Sequence, residues 1–279
     1  MKVGIVGLGL IGGSLGLDLR ALGHWVVGSS RRPETGDRAL ELGVVDEASP
    51  DLAIMAQAEV VFLCTPIEAI APAVAALRPH LRPETILTDV GSVKAPIVEA
   101  IAPLWPNFIG GHPMAGTEFS GVEAAQRRLF EGRPYVLTPT ATTPPTACET
   151  VAAIARSLQA EVYECAPDIH DRAVAWISHL PVMVSGSLIA ACEGERDPLV
   201  HKMAQCFASS GFRDTSRVGG GNPELGLMMA RYNQAALVRS LRAYRDRLDQ
   251  VIHLIEDEQW DALHEQLQAQ QQARPAYLK

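Results

Sequence analysis

The sequence predicts an α/β domain with a doubly wound, mostly parallel sheet over residues 1–165, followed by an all-helical domain over 166–279. Three observations carry this. Apolar strand-like runs alternate with helical patterns through the first 165 residues. A glycine-rich turn separates the first such run from the first helix. Strand-like runs then all but vanish after Ala166-Pro167.

Taken in order, residues 3–6 (VGIV) form a buried strand, 12–22 a helix closed by Gly23, and 25–28 the next strand. A helical stretch covers 38–42. Residues 60–64 (VVFLC) are apolar without interruption, as a central parallel strand covered on both faces requires. A helix over 67–77, a strand over 86–89 and a helix over 96–102 follow. Short strands at 108–109 and 135–137, a helix over 147–158 and a strand at 162–163 complete the sheet domain. Beyond it, helical patterns cover 172–191, 198–210, 223–255 and 257–272, the last ending in a glutamine-rich stretch.

Composition narrows the functions. A formal net charge of −8 argues against nucleic acid as the main partner, while local arginines still allow a small anionic ligand. The five cysteines (64, 148, 165, 192 and 206) are scattered and contain no C-x-x-C pair, so neither a disulfide framework nor a metal site is expected. Glycines at 4, 7, 9, 12, 13 and 16 would break a signal helix, and no stretch of about 18 residues is apolar without interruption. A soluble, cytoplasmic chain with no membrane contact is the expectation.

The chemistry-bearing motifs lie at strand ends. Gly7-Leu-Gly9-Leu10-Ile11-Gly12 is a G-x-G-x-x-G sequence between a strand and a helix, the context of a Rossmann dinucleotide site. Its first glycine permits the tight turn, the second admits the pyrophosphate, and the third lets helix and strand pack closely. The second strand ends in Gly28-Ser29-Ser30-Arg31-Arg32, where an NAD-specific site would carry an acid for the ribose 2′-hydroxyl. Hydroxyls and guanidiniums suit a 2′-phosphate instead, so NADP is the expected cofactor. Thr65 follows the strand at 60–64, and Ser92 and Lys94 follow the strand at 86–89, all candidates by position. Ser92 has two readings: a bond to substrate, nicotinamide or a catalytic side chain, or a cap on the next helix. Lys94 is open between a structural and a functional role. In Gly110-Gly111-His112-Pro113-Met114-Ala115-Gly116-Thr117, a histidine at a strand end can reach a substrate and titrates near neutrality, though a buried structural histidine would read the same.

Together these motifs resemble the prephenate and arogenate dehydrogenase family of tyrosine biosynthesis. The resemblance rests on GLGLIGGS at 7–14, TDVGSVK at 88–94, GGHPMAGTE at 110–118, AWISHLP at 175–181 and SGFRDTSRVGGGNPEL at 210–225, in the expected order across most of the chain. It is nearest to the cyanobacterial-type arogenate dehydrogenases, which use NADP. The implied reaction is oxidative decarboxylation of a cyclohexadienol: hydride passes to the nicotinamide, the carboxylate across the ring leaves as CO₂, and the ring becomes aromatic, with no metal needed. The resemblance implies that His112 bonds the ring hydroxyl and draws off its proton, and that Ser92 orients His112 and touches the nicotinamide. It implies that Arg217 clamps a substrate carboxylate, with Arg213 structural. Thr117, Ser178 and His179 belong to the substrate side, Gly7, Gly9, Leu10, Ile11, Gly12, Ser30, Arg31 and Thr65 to the cofactor. The helical domain is expected to form a homodimer.

Other dehydrogenases with a helical dimerisation domain share the glycine loop but lack the HPMAG and SHLP motifs. A non-catalytic NADP sensor would have no use for His112, Ser92 and Arg217 together. Between substrates, many prephenate-using relatives carry a histidine directly after Ser-His-Leu-Pro, where this chain has Val182. The expectation is therefore arogenate, whose ammonium would meet Glu118 or Asp171.

Overall fold

The computed structural model describes residues 1–117 and 119–278, so Glu118 and its expected role lie outside the described residues. Strands β1 (Lys2–Val6), β2 (Trp25–Ser29), β3 (Glu47–Ser49), β4 (Val60–Leu63), β5 (Ile86–Asp89), β6 (Phe108–Pro113), β7 (Pro134–Thr138) and β8 (Glu161–Glu164) form one sheet in the order β3-β2-β1-β4-β5-β6-β7-β8. Neighbours run parallel except β6 and β7, where His112 stands opposite Val136. The winding reverses between β1 and β4. That places the switch point, where open α/β sheets bind ligands, beyond the carboxyl ends of these two strands.

Both faces of the sheet are covered, which is why its central strands read as continuous apolar runs. In β4, Val60 and Phe62 face one layer with Leu15 and Leu19 of α1 (Leu10–Ala21), while Val61 and Leu63 face the other. That second layer holds Ile70 and Val74 of α3 (Ile67–Leu77) and Ile97 and Ile101 of α4 (Ala95–Ile101). Helix α5 (Pro145–Ser157) closes the first face through Val151 and Ile154. Helix α2 (Pro33–Glu41) starts five residues before the expected 38–42 stretch, because Pro33 opens it at N1, where a missing N–H costs nothing. Strand β3 escapes the sequence reading because its three residues, Glu-Ala-Ser, carry no apolar run. Strand β6 runs on through Pro113, so His112 sits within a strand rather than after the short one expected at 108–109.

After β8 the chain is helical. Helix α6 (Pro167–Val174), a π turn (Ala175–His179) and α7 (Leu180–Glu193) form one run, followed by α8 (Pro198–Phe207), α9 (Ser210–Ser216), a 3₁₀ turn (Arg217–Gly220) and α10 (Pro223–Tyr232). The expected single helix over 172–191 thus carries a widened turn. Its cause is Pro181, which has no N–H to continue the ladder and whose ring crowds the carbonyl of Ile177. The expected helix over 198–210 ends at Phe207, with a further helix beginning at Ser210, and that over 223–255 is interrupted at Asn233, whose backbone leaves the helical region (φ −121°, ψ 34°). Met228 and Tyr232 of α10 pack against the core layer that holds α3 and α4. The chain divides into two compact units, Met1–Asn233 and Gln234–Lys279; the second is a pair of helices, α11 (Gln234–Glu256) and α12 (Trp260–Ala273).

The run Pro167–Glu193 contains an 18-residue window of mean hydropathy 1.6, long and apolar enough to cross a membrane by length and composition. The sequence reading overlooked it because Ser178, His179 and Pro181 punctuate the window without adding charge.

Candidate active site

The glycine loop joins β1 to α1 at the switch point. Gly7 has φ +100°, and a Cβ there would lie 2.6 Å from the Cys64 carbonyl oxygen at the end of β4. A Cβ on Gly12 would lie 2.1 Å from the Gly7 carbonyl oxygen. The fold itself therefore requires these two glycines. Gly9 differs: its φ is −99°, open to any residue, and a Cβ there would meet nothing within 4 Å. Gly9 therefore borders open space, and as the N-cap of α1 it brings no side chain to satisfy the helix's first N–H groups, Leu10 and Ile11 included. A cradle of free N–H groups facing open space at a helix N-terminus fits the pyrophosphate of a dinucleotide. At the end of the neighbouring β2, the Ser29 carbonyl accepts a bond from Gly7 N (2.9 Å), and Ser30 Oγ accepts one from Arg32 N (3.3 Å). Arg31 and Arg32 are exposed. Thr65 Oγ1, across the loop at the end of β4, is buried without a partner among the described residues.

Asp89 and Lys94 share a buried network after β5. Asp89, the last residue of β5, accepts through Oδ2 from Gly91 N (2.8 Å) and from the ammonium of Lys94, and through Oδ1 from Gly111 N (3.2 Å). Lys94 Nζ also donates to the Gly111 carbonyl (2.6 Å), so one ion pair ties β5 to β6 beside His112. A side chain at 111 is impossible without movement, since a Cβ would sit 2.8 Å from the Asp89 carbonyl oxygen. Lys94, open between two roles in the sequence, is thus wholly buried and structural.

His112 is 8% exposed, and its Nδ1 lies 2.8 Å from Nε2 of His170 on α6. His170 Nδ1 lies 2.8 Å from Asp171 Oδ1. The Asp171 carboxylate also accepts from Lys94 N (2.6 Å) and Ala95 N (2.8 Å) at the start of α4. Asn233 Nδ2 donates to the Asp171 carbonyl (2.7 Å) and lies 3.1 Å from His179 Nδ1. The interruption after α10 thus puts an amide into this network. No hydrogen bond joins Ser92 to His112 among the described residues; His170 stands where Ser92 was expected to act. Asp171, offered by sequence as a partner for a substrate ammonium, is buried and already accepts three bonds.

Burial chiefly sets the protonation of these groups. It holds the His112 imidazole well below its ordinary pKa, with His170, Lys94 and His179 acting in the same direction. His179 is pushed down to about 4, mainly by burial and against the pull of Asp171, and its Nε2 is buried without a partner. Burial also lowers the Lys94 ammonium, opposed by Asp89. A neutral His112 near the carboxyl end of β6 is suited to accept a proton.

The remaining predicted residues lie on two other segments. Thr117 is exposed, and its Oγ1 accepts from Phe119 N (3.3 Å). Ser178 is half-buried on the π turn next to His179. Arg217 opens the 3₁₀ turn, exposed and without an ion pair among the described residues, whereas Arg213 pairs with Asp214 (3.3 Å). The turn is fixed to α7: Ser185 Oγ donates to the Thr215 carbonyl (2.8 Å) and accepts from Gly219 N (2.9 Å). Gly219 has no room for a Cβ, which would fall 2.3 Å from Gly186 N. Among the described residues, no hydrogen bond or ion pair joins Arg217 to His112. His170, Asp89 and Asn233 escaped the sequence reading; the His-Asp pair at 170–171, which starts eight residues before Ser-His-Leu-Pro, was the signal that could have found the first.

A glycine loop at the switch point of a parallel sheet, followed by a helical domain that feeds side chains back to the strand ends, defines a nucleotide-binding dehydrogenase. Residues 15–164 match the family model for the prephenate dehydrogenase nucleotide-binding domain, and residues 166–269 that for the prephenate dehydrogenase dimerization domain. The chain belongs to the prephenate and arogenate dehydrogenase family. Among solved structures it is similar to Synechocystis arogenate dehydrogenase, at 54% identity and a TM-score of 0.91 with both chains covered completely. It is also similar to Aquifex aeolicus prephenate dehydrogenase in complex with hydroxyphenyl propionate and NAD+, at 28% identity and a TM-score of 0.93 over 99% of this chain and 98% of that one. The cyclohexadienyl dehydrogenase of Zymomonas mobilis is 31% identical over 98% of this chain and 95% of its own length.

Proposed function

We propose that this chain catalyses NADP-dependent oxidative decarboxylation of arogenate to tyrosine, as a cytoplasmic homodimer with its division of labour at residue 165/166. The observation that carries the reading is the environment of His112: a neutral, buried imidazole at the carboxyl end of the sheet, one ring nitrogen engaged by His170 and the other without a hydrogen-bond partner among the described residues. Bound at the glycine loop, the oxidised nicotinamide supplies the hydride acceptor. His112 takes the proton of the ring hydroxyl, so the carbonyl forms as the hydride leaves. Arg217, free of any ion pair among the described residues, holds a substrate carboxylate. Ser178 and Thr117 line the substrate side, with the buried His179 behind Ser178; Ser92 faces the nicotinamide, and Thr65 contributes its unpaired hydroxyl on the cofactor side. The preference for NADP rests on Ser30 and Arg31 where an acid would select NAD. The preference for arogenate is supported by Val182 and by the similarity to the Synechocystis enzyme.

Reduced nicotinamide and CO₂ should appear in equal amounts, with tyrosine, when the protein is mixed with arogenate and NADP⁺. Absence of turnover with both arogenate and prephenate would overturn the reading. Replacing Ser30→Asp should set a carboxylate against the 2′-phosphate and move the ratio of kcat/KM values toward NAD⁺; an unchanged ratio would remove Ser30 from cofactor selection.

A further inference from the structure

We propose that His170 is the positioning residue of His112: it fixes which ring nitrogen of His112 is bare and receives the charge that builds up there. The proposal rests on the reading of His112 as the base and adds to it a partner and a proton path.

Counting donors leads to the assignment. The Asp171 carboxylate accepts from two backbone N–H groups, Lys94 N and Ala95 N, and has only acceptors to offer. His170 Nδ1, 2.8 Å from Asp171 Oδ1, must therefore carry a hydrogen. In neutral His170 the other nitrogen, Nε2, then presents a lone pair. His112 Nδ1 lies 2.8 Å from that lone pair and supplies the N–H. Neutral His112 is left with its own lone pair on Nε2. That atom makes no hydrogen bond among the described residues and is not among the sealed polar atoms that lack a partner. The chain Asp171–His170–His112 thus aims a bare nitrogen away from the buried network.

The same geometry carries the proton onward. When the ring hydroxyl's proton bonds to His112 Nε2, the Nδ1 proton can cross to His170 Nε2. His170 is then the imidazolium, in contact with the Asp171 carboxylate, and His112 is again neutral. After product leaves, the reverse shift returns one proton to solvent through Nε2, so charge and protons balance. Every titratable group around the pair fits this path. Lys94 is already paired with Asp89, and its charge disfavours a lasting cation on His112. Among the described residues, Asp171 is the one carboxylate in contact with the pair, and it touches His170. His170, 2% exposed, is engaged at both ring nitrogens.

The test reads the tautomer directly in the unaltered protein. With ¹⁵N-histidine labelling, His112 is identified as the signal lost in His112→Asn. The proposal expects its Nδ1 to bear hydrogen and its Nε2 to be bare at neutral pH; the opposite tautomer overturns it, whatever the catalytic rates. Kinetics supply the second arm. His170→Leu should lower kcat by about 10²-fold, within the range for general-base catalysis. KM for substrate and cofactor should stay within about threefold, and the acid limb of the kcat/KM profile should move to lower pH, because His112 loses the acceptor that stabilises its charged form. His170→Gln, whose side-chain oxygen can accept the same hydrogen bond, should recover at least tenfold of that loss. If His170→Leu does not fold, His170→Gln alone decides: activity as low as that of a His112 variant overturns the positioning role. An unmoved acid limb with kcat near the unaltered value in His170→Leu overturns it equally. Normal turnover in His112→Ala would instead defeat the parent reading of His112 as the base, a separate failure.

Discussion

The sheet and the helices that follow it use apolar residues differently. In β1 and β4, Val3, Ile5, Val61, Phe62 and Leu63 are completely buried between two helical layers. Beyond Pro167, by contrast, Ile177, Phe207 and Leu227 keep 52%, 74% and 68% of their surface exposed, and α8, α9 and α12 contain no buried residue. A parallel sheet with both faces covered uses its hydrophobic surface within one chain. Helices with exposed Phe and Leu leave roughly 25 cal/mol per Å² of apolar surface still to be gained, so a second surface is expected to cover them. The matched dimerization-domain family model agrees with this division.

If the sheet half carries the chemistry, its most damaging single change is at His112. His112→Ala should reduce kcat by about 10²–10⁴-fold while cofactor binding persists, measured by steady-state kinetics and cofactor titration. In the unaltered protein, burial lowers the His112 pKa, so the ring stays neutral as pH falls through the ordinary imidazole range. The acid limb of kcat/KM should accordingly lie below pH 6.5, the ordinary histidine value.

The helical half should fail through association instead. Leu227, exposed on α10 in an apolar groove with Val182 and Met183, is a sharp place to test this. Leu227→Asp should leave the strand core intact yet shift sedimentation from dimer to monomer. A stable, active monomer of the unaltered chain would break the comparison. A smaller effect is expected at Gly111→Ala. The added Cβ must move the β5 backbone at Asp89, and overpacking of this kind costs about 1–3 kcal/mol. Thermal denaturation should show a lowered Tm with the dimer retained.

Legibility followed the same divide. Strands with continuous apolar runs and the glycine loop could be read from sequence, because their periodicity and spacing are local. The ends of α3 and β5 fall where the pattern put them. What stayed hidden depended on distant partners. Asn233 looks like any helical residue until its amide is seen against His179 and Asp171. His170 has only the adjacent Asp171 as a local signature, and its meaning comes from His112, 58 positions earlier. The π turn could have been suspected from Pro181 inside a helical pattern. Ser92, readable as a site residue by its position, has no hydrogen bond to His112; the contact comes from the helical half.

The central claim, that this cleft acts on the amino-acid form of the cyclohexadienol with NADP⁺, is tested most directly by kcat/KM for arogenate and prephenate measured side by side. The two substrates differ only in an amino-acid or keto-acid side chain. A site that binds a charged group rejects an analogue lacking it strongly, because its own polar groups are left unpaired. The account predicts a clear preference for arogenate, by about 10²-fold or more. Equal turnover of prephenate would contradict it and leave only the family assignment standing.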